Sequence, residues 1–111
     1  MRYVLMIWGD ESQARAMSPA EQAKWDAFGE EMGRRGVLRG GERLRWSSEA
    51  VTVSVPNGKV VTSDGPFAET KEQIGGFYLV DCKDRDEAIE VAAKIPGARH
   101  GKIEVRPIWE M

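Results

Sequence analysis

The sequence is poor in the residues that build disulfide frameworks and most metal centres. Cys82 is the single cysteine and His100 the single histidine among 111 residues. One cysteine cannot close a disulfide within the chain, and no second histidine, cysteine or carboxylate cluster shows the spacing of zinc ligands. We therefore expect neither a metal site nor a cofactor, and haem ligation through His100 has no further support.

An excess of positive charge and a long apolar run are also missing. The 16 Lys and Arg residues against 18 Asp and Glu give a net charge of −2, which argues against a surface that follows nucleic-acid phosphates. No window approaches the ~18 apolar residues of a membrane span, and the first apolar run is too short for a signal peptide. We expect a cytoplasmic protein that binds neither nucleic acid nor membrane.

The chain does contain a regular succession of strand and helix patterns, and its length suits one domain, residues 1–111. Capping boxes at Ser18 and Asp84 predict helices that end near Gly36 and Pro96. Asn57-Gly58 between two β-branched runs predicts a hairpin. Strands are predicted at residues 2–9, 37–46, 77–82 and 101–110, and a polar loop at residues 9–17. The order predicts an α+β fold, a ferredoxin-like βαββαβ sandwich with an inserted hairpin.

Several predicted strands are apolar on both faces. In the first strand, Tyr3, Leu5 and Ile7 alternate with Val4, Met6 and Trp8. Two helices can cover only one face of a four-stranded sheet, and a bare apolar face is rare in soluble monomers. We therefore expect a homodimer packed sheet on sheet. The alternative is a monomer whose hairpin folds over that face.

The longest distinctive stretch is DGPFAETKEQIGGFYLVD, residues 64–81. Together with RYVLMIWGDE, GVLRGGERL, DEAIEVAAKIPG and IEVRPIW, it makes the chain resemble the YCII-related family in its DGPF branch. The resemblance covers essentially the whole chain and implies a dimeric α+β barrel. It also implies membership of a superfamily that includes cofactor-free monooxygenases, isomerases, lyases and binding modules. Genes of this branch often lie beside those for extracytoplasmic-function sigma factors.

The resemblance has one departure. Other YCII-related proteins are associated with a His–Asp pair in the first half of the chain, but the histidine of this sequence is at position 100, just before the last strand. That pair cannot be transferred to this chain. A histidine in a polar segment such as ARHGK is ordinarily exposed to solvent.

Two interpretations of the central stretch remain open. Asp64 before Gly-Pro is a good turn former, but it is also our candidate general base. Lys71 is the candidate that binds an anion or stabilises a developing oxyanion. Glu69 either pairs with Lys71 or lines a polar pocket.

Three further residues are candidates for substrate binding. On the last strand, Ile103, Val105, Pro107 and Trp109 should share one face, which leaves Arg106 on the other face. Its ion-pair partner there would be Glu104 on the same face, or Asp64 or Glu69 from the loop. Arg106 could alternatively hold a carboxylate ligand. Trp8 and Tyr78 line either a small apolar pocket or simply the core. The sequence thus leaves two hypotheses: a cofactor-free enzyme acting on a small molecule beside the sheet, or a dimeric module that binds a ligand or a protein.

Overall fold

The computed structural model describes residues 1–111. Four strands form the main sheet, two further strands form a separate hairpin, and three α-helices connect them. In chain order the elements are β1 Arg2–Asp10, α1 Glu11–Arg15, α2 Pro19–Arg35, β2 Leu38–Arg43, β3 Val51–Ser54, β4 Val61–Asp64, β5 Glu72–Asp81, α3 Arg85–Ala93 and β6 Lys102–Pro107. No helix is long and apolar enough to cross a membrane.

The main sheet is antiparallel throughout, with the strand order β2-β5-β1-β6. With the hairpin set aside, this is the order of a ferredoxin-like sandwich, so the predicted α+β fold is confirmed. Directly paired residues share a face of the sheet. Leu5 pairs with Tyr78 and Val105 on the helix-covered face, and Met6 pairs with Phe77 and Glu104 on the other.

The second face carries no helix, and we call it the open face. Alternate residues of β1, β5 and β6 form this face: Val4, Met6, Phe77, Leu79, Glu104 and Arg106. Its apolar members are half-buried, because they shield one another along the sheet. Strand β1 is apolar on both faces, and as the sequence predicts, the helices of this chain cover only one face of the sheet.

The core lies between the sheet and helices α2 and α3. Its members come from both helices and from the covered face of the sheet: Tyr3, Leu5, Phe28, Met32, Val37, Val80, Cys82, Ala88, Val91, Ala92 and Ile95. Burying a side chain of the size of Leu or Val contributes about 1.5–3 kcal/mol each. The sheet is thus anchored to its helices by one continuous apolar layer.

The helix ends are as the sequence predicts. The Ser18 hydroxyl accepts a hydrogen bond from the backbone N–H three residues on, at 3.2 Å, where α2 begins. Gly36 ends α2 in the left-handed conformation, with φ of 73°. At α3, Asp84 accepts from the Glu87 N–H and Glu87 accepts from the Lys83 N–H, both at 2.9 Å. These bonds satisfy backbone groups that the first turn leaves without partners.

Four local predictions were wrong. The second strand, expected to reach Trp46, ends at Arg43. The polar loop expected at residues 9–17 contains α1, which the carboxylate of Asp10 caps by accepting from Ser12 N at 2.9 Å and Ser12 Oγ at 2.7 Å. The strand expected from Phe77 begins at Glu72. The last strand ends at Pro107, so Trp109 leaves the alternation and is 88% exposed.

The inserted hairpin, residues 51–64, projects from the body, and we call it the arm. Val51 pairs with Asp64 and Ser54 with Val61, and the tip at Asn57-Gly58 has the two positive φ angles, 54° and 77°, of a tight hairpin turn. The arm makes no extensive contact with any other helix or strand. The radius of gyration is accordingly 15.8 Å, against about 13 Å for a compact chain of this length. The arm does not cover the open face.

A tryptophan-lined cleft at one end of the sheet

Four strand ends meet at one end of the main sheet. β1 and β2 finish there, and β5 and β6 begin there, so the connections to α1, to the arm and from the 3₁₀ turn Pro96–Arg99 all gather at this end. Between them and α2 lies a cavity of about 760 Å³, within the size range of small-molecule sites. We call it the tryptophan cleft, because Trp8, Trp25 and Trp46 line it. Tyr78 lines it as well.

Tyr78 lies where the cleft meets the core. Its ring packs against Phe28 at 5.1 Å between centroids and an interplanar angle of 48°, the tilted geometry that aromatic pairs favour. Burial, and secondarily the carboxylate of Asp26, raises the pKa of Tyr78. The phenol therefore keeps its proton well above neutral pH and can donate a hydrogen bond to a ligand.

Trp46 forms the wall of the cleft that leads to the arm. The guanidinium of Arg15 lies 4.0 Å from its ring centroid and that of Arg43 lies 5.7 Å away, both within cation–π range. The next residue, Ser47, donates from its N–H at 2.7 Å and its hydroxyl at 2.5 Å to the carboxylate of Glu11. Trp46 is thus held between α1 and the base of the arm.

Trp8 has an unpaired polar atom. Its indole Nε1 is buried and has no hydrogen-bond partner, which ordinarily costs about 1–3 kcal/mol. Trp8 lines the tryptophan cleft and also an adjoining, more open cavity of about 920 Å³.

The adjoining cavity gathers the titratable groups of the site. Asp10 and His100 line both cavities, and Lys71 lines this second one. Hydrogen bonds from the hydroxyl and the N–H of Ser12 lower the pKa of Asp10, and the charge of Lys71 lowers it further. Both bonds fall on Oδ1, so Asp10 is held ionised with Oδ2 available to a neighbouring donor. No group of three or more His, Cys, Asp or Glu side chains is placed to hold a metal ion.

The structure separates the site residues that the sequence predicts. Trp8 and Tyr78 line the tryptophan cleft, and Lys71 joins Trp8 at the second cavity. Asp64 and Glu69 are exposed and line neither cavity.

Arg106 lies away from both cavities. It stands on the open face, 66% exposed, and forms an ion pair with Glu104, which is the internal partner that the sequence offers. In this chain by itself the guanidinium is therefore neither buried nor in need of a ligand carboxylate.

Four lining residues were not chosen from the sequence as site candidates: Asp10, Trp25, Trp46 and His100. His100 is exposed as expected, yet it lies between the two cavities. The sequence contained a signal for both residues, because Asp10 directly follows the first predicted strand and His100 directly precedes the last predicted strand. Antiparallel neighbours bring such positions to the same end of a sheet.

Comparison with known sequences identifies the family. A family model described as the YCII-related domain matches residues 1–111. The chain belongs to the YCII-related family. A protein of Rhizobium meliloti (strain 1021), described as uncharacterized, is 37% identical to this YCII-related chain over 114 residues, which cover 97% of this chain and 92% of that protein.

Proposed function

We propose that this YCII-related chain is a homodimer that binds a small planar molecule in the tryptophan cleft and acts on it without a cofactor. The observation that supports the proposal best is the convergence of three indoles and one phenol on a single cavity of about 760 Å³. Aromatic side chains offer flat apolar faces, and such faces select flat ligands.

The polar groups of the cleft limit the class of ligand further. Tyr78 is a hydrogen-bond donor that lines the cleft. Lys24, Arg43 and Arg99 also line the cleft, and none of them lies within 4.0 Å of a carboxylate oxygen. Donors and free cations complement an oxygen acceptor. The ligand class that fits is an aromatic or conjugated molecule with a carbonyl or carboxylate group.

The titratable groups suit proton transfer next to a carbonyl. Histidine is the commonest general base in enzymes, and His100 lies between the two cavities. In the proposed step His100 removes a proton from the carbon beside the carbonyl, and the electron pair moves to the carbonyl oxygen. Lys71, which lines the adjoining cavity, stabilises that oxygen. Return of the proton to a different carbon completes an isomerisation.

Asp64, the general base predicted from the sequence, stays a prediction. It is the last residue of β4 at the base of the arm, so it could serve only if the arm base approached a bound ligand. Asp64→Asn therefore distinguishes the two bases, because it should leave proton transfer unchanged if His100 is the base.

Binding can be tested by tryptophan fluorescence. Planar carboxylates, titrated beside their neutral amides, should quench the wild-type protein at saturable concentrations. Trp46→Ala should weaken binding about tenfold or more, because one aromatic contact contributes about 0.5–1.5 kcal/mol beyond its buried area. Trp109→Phe is the matched control, since it also removes one indole, at a position that is 88% exposed and outside the cleft. Equal weakening by both variants would reject the cleft as the site.

A binding module without turnover is the second candidate. It is favoured by the exposure of Asp64 and its distance from both cavities. Incubation of a bound ligand in D₂O, followed by NMR, separates the two candidates, because only proton transfer exchanges ligand hydrogens for deuterium. His100→Gln should abolish that exchange without changing Kd by more than about threefold. Binding without any exchange would identify the module, and pull-down would then be used to seek a regulatory partner.

A further inference from the structure

The arm has an amphipathic cross-section. Val51 and Val53 are 58% and 59% exposed and lie on one face, which they share with their cross-strand partners Asp64 and Thr62. Toward the tip, Val55 and Val60 are 56% and 66% exposed. We call Val51, Val53, Val55 and Val60 the valine surface. The other side of the paired strands, the polar side, carries Thr52, Ser54 and Ser63, with Val61 as the apolar exception.

An exposed valine surface on a free hairpin is unfavourable. A two-stranded hairpin alone is at best marginally stable in water. This arm is tied to the chain only at its base, where Gly65 N donates to Ala50 O at 2.7 Å and Thr52 Oγ1 donates to Gly65 O at 2.9 Å. Beyond that base the arm needs an apolar surface to cover its valines.

The charge of the arm indicates what kind of surface covers it. Its charged residues are Lys59, near the tip, and Asp64, at the base. Between them the arm is neutral, so it complements an apolar surface rather than a charged one. This chain itself presents such a surface, because Val4, Met6 and Leu79 of the open face have no helix over them.

The area of the valine surface points to a contact that includes more than the arm. Four valines, each a little more than half exposed, provide much less than the ~800 Å² that one partner contributes to a stable interface. A partner that contacts the arm must therefore also contact adjoining apolar surface. A second copy meets this requirement, because two-fold symmetry lets each arm cover the other copy while the two open faces pack together.

We propose that the arm is an exchange arm: each copy of the chain packs its valine surface against a second copy, alongside the contact between their open faces. This role goes beyond ligand binding, because it assigns the arm to the assembly of the dimer. Asp64, opposite Val51 on the paired strands, then lies at the root of an interface.

The test compares two double variants of the full chain by sedimentation equilibrium and native mass spectrometry. Val51→Glu/Val53→Glu places two charges on the valine surface. Ser54→Glu/Ser63→Glu is the matched control, with the same two charges on the polar side of the same strands. Burying a charge without a partner is strongly unfavourable, so the valine variant should weaken dimerisation by roughly 100-fold or more. The control should stay within about threefold of wild type.

Two results would overturn the proposal: a monomeric wild-type protein, or a valine variant that dimerises as tightly as the control. Far-UV circular dichroism of each variant shows whether the main sheet is intact. Because the arm makes no extensive contact with the other elements of its own chain, both variants should keep the wild-type spectrum.

A crosslinking experiment identifies the occupant directly. Val53→Cys, labelled with a photoreactive maleimide in a mixture of isotopically light and heavy chains, should give light–heavy crosslinked peptides. Cys82 is buried and should remain unlabelled. Crosslinks to peptides of the other copy that border its open face are expected. Crosslinks confined to the same chain, or to a co-purified protein of another kind, would contradict arm exchange.

Discussion

Gly101 is the residue at which the cleft tolerates least change. A Cβ atom on Gly101 would lie 2.0 Å from the carbonyl oxygen of Trp8 and 3.0 Å from Cα of Gly9. Backbone atoms cannot move aside as a flexible side chain can, so Gly101→Ala should separate β1 from the start of β6. We expect a loss of about 1–3 kcal/mol in the free energy of unfolding, typical of overpacking, measured by urea denaturation.

Gly9 provides the control at the same strand end. A Cβ atom there would meet no atom within 4 Å, so Gly9→Ala should change the free energy of unfolding by no more than about 0.5 kcal/mol. If the two alanine variants were equally stable, the close approach of β1 and Gly101 would not be a constraint on the fold.

At the scale of the element, α3 is fixed by its first turn. Asp84 accepts a hydrogen bond from the Glu87 N–H there and Glu87 accepts one from the Lys83 N–H, both at 2.9 Å. Asp84→Ala removes one acceptor and should destabilise the protein by about 1 kcal/mol, whereas Asp84→Asn, which keeps a side-chain oxygen, should retain most of the stability. Chemical denaturation of the three proteins tests the order wild type, Asn variant, Ala variant. An Asn variant as unstable as the Ala variant would assign the effect to charge instead of capping.

The elements also show what a sequence can and cannot predict. Helices α2 and α3 and the arm were predictable because capping boxes and Asn57-Gly58 are local signals, read within a few residues. Helix α1 was not, because its five residues are too few to show a helical period.

The candidate site was predictable only in part. Trp8 and Tyr78 lie on strands whose pattern is clear, but Trp46 and His100 reach the cleft through turns. The direction of a turn depends on tertiary contacts such as the bond from Ser47 to Glu11, which no local pattern encodes. Asp64 was predicted to be a site residue because several charged residues lie near it in the sequence. In the structure it lies on the arm.

At the scale of the whole molecule, stability should depend on pH at both extremes. In the acid range, hydrogen bonds from Ser12 lower the pKa of Asp10, and the guanidinium of Arg35, at 2.9 and 3.0 Å, lowers that of Glu90. A carboxylate whose folded pKa is lowered stabilises the fold above its unfolded pKa, and this stability is lost as the pH falls through the folded pKa. The melting temperature should therefore decrease below about pH 4.

In the alkaline range, the stability of the fold should decrease as the pH rises. Burial raises the pKa of Cys82 above its usual 9.0 and that of Tyr78 above its usual 10.0. Their stabilisation is complete below those usual values and is lost as the pH rises through the folded pKa. Cys82→Ala should lower the melting temperature at neutral pH through lost packing, yet flatten its decrease above pH 9. An unchanged alkaline slope would mean that Cys82 does not titrate in this range.

The pairing of β1 with β6 has a practical consequence for handling the protein. Tyr3 pairs with Pro107 at one end of the sheet, whereas Trp8 pairs with Lys102 beside the cleft, five residues or about 17 Å away along the strand. Both chain ends therefore emerge at the side remote from the cavity mouth. A tether at either end should immobilise the molecule on a sensor chip with its opening toward the flow, so that small compounds can be screened without obstruction by the attachment.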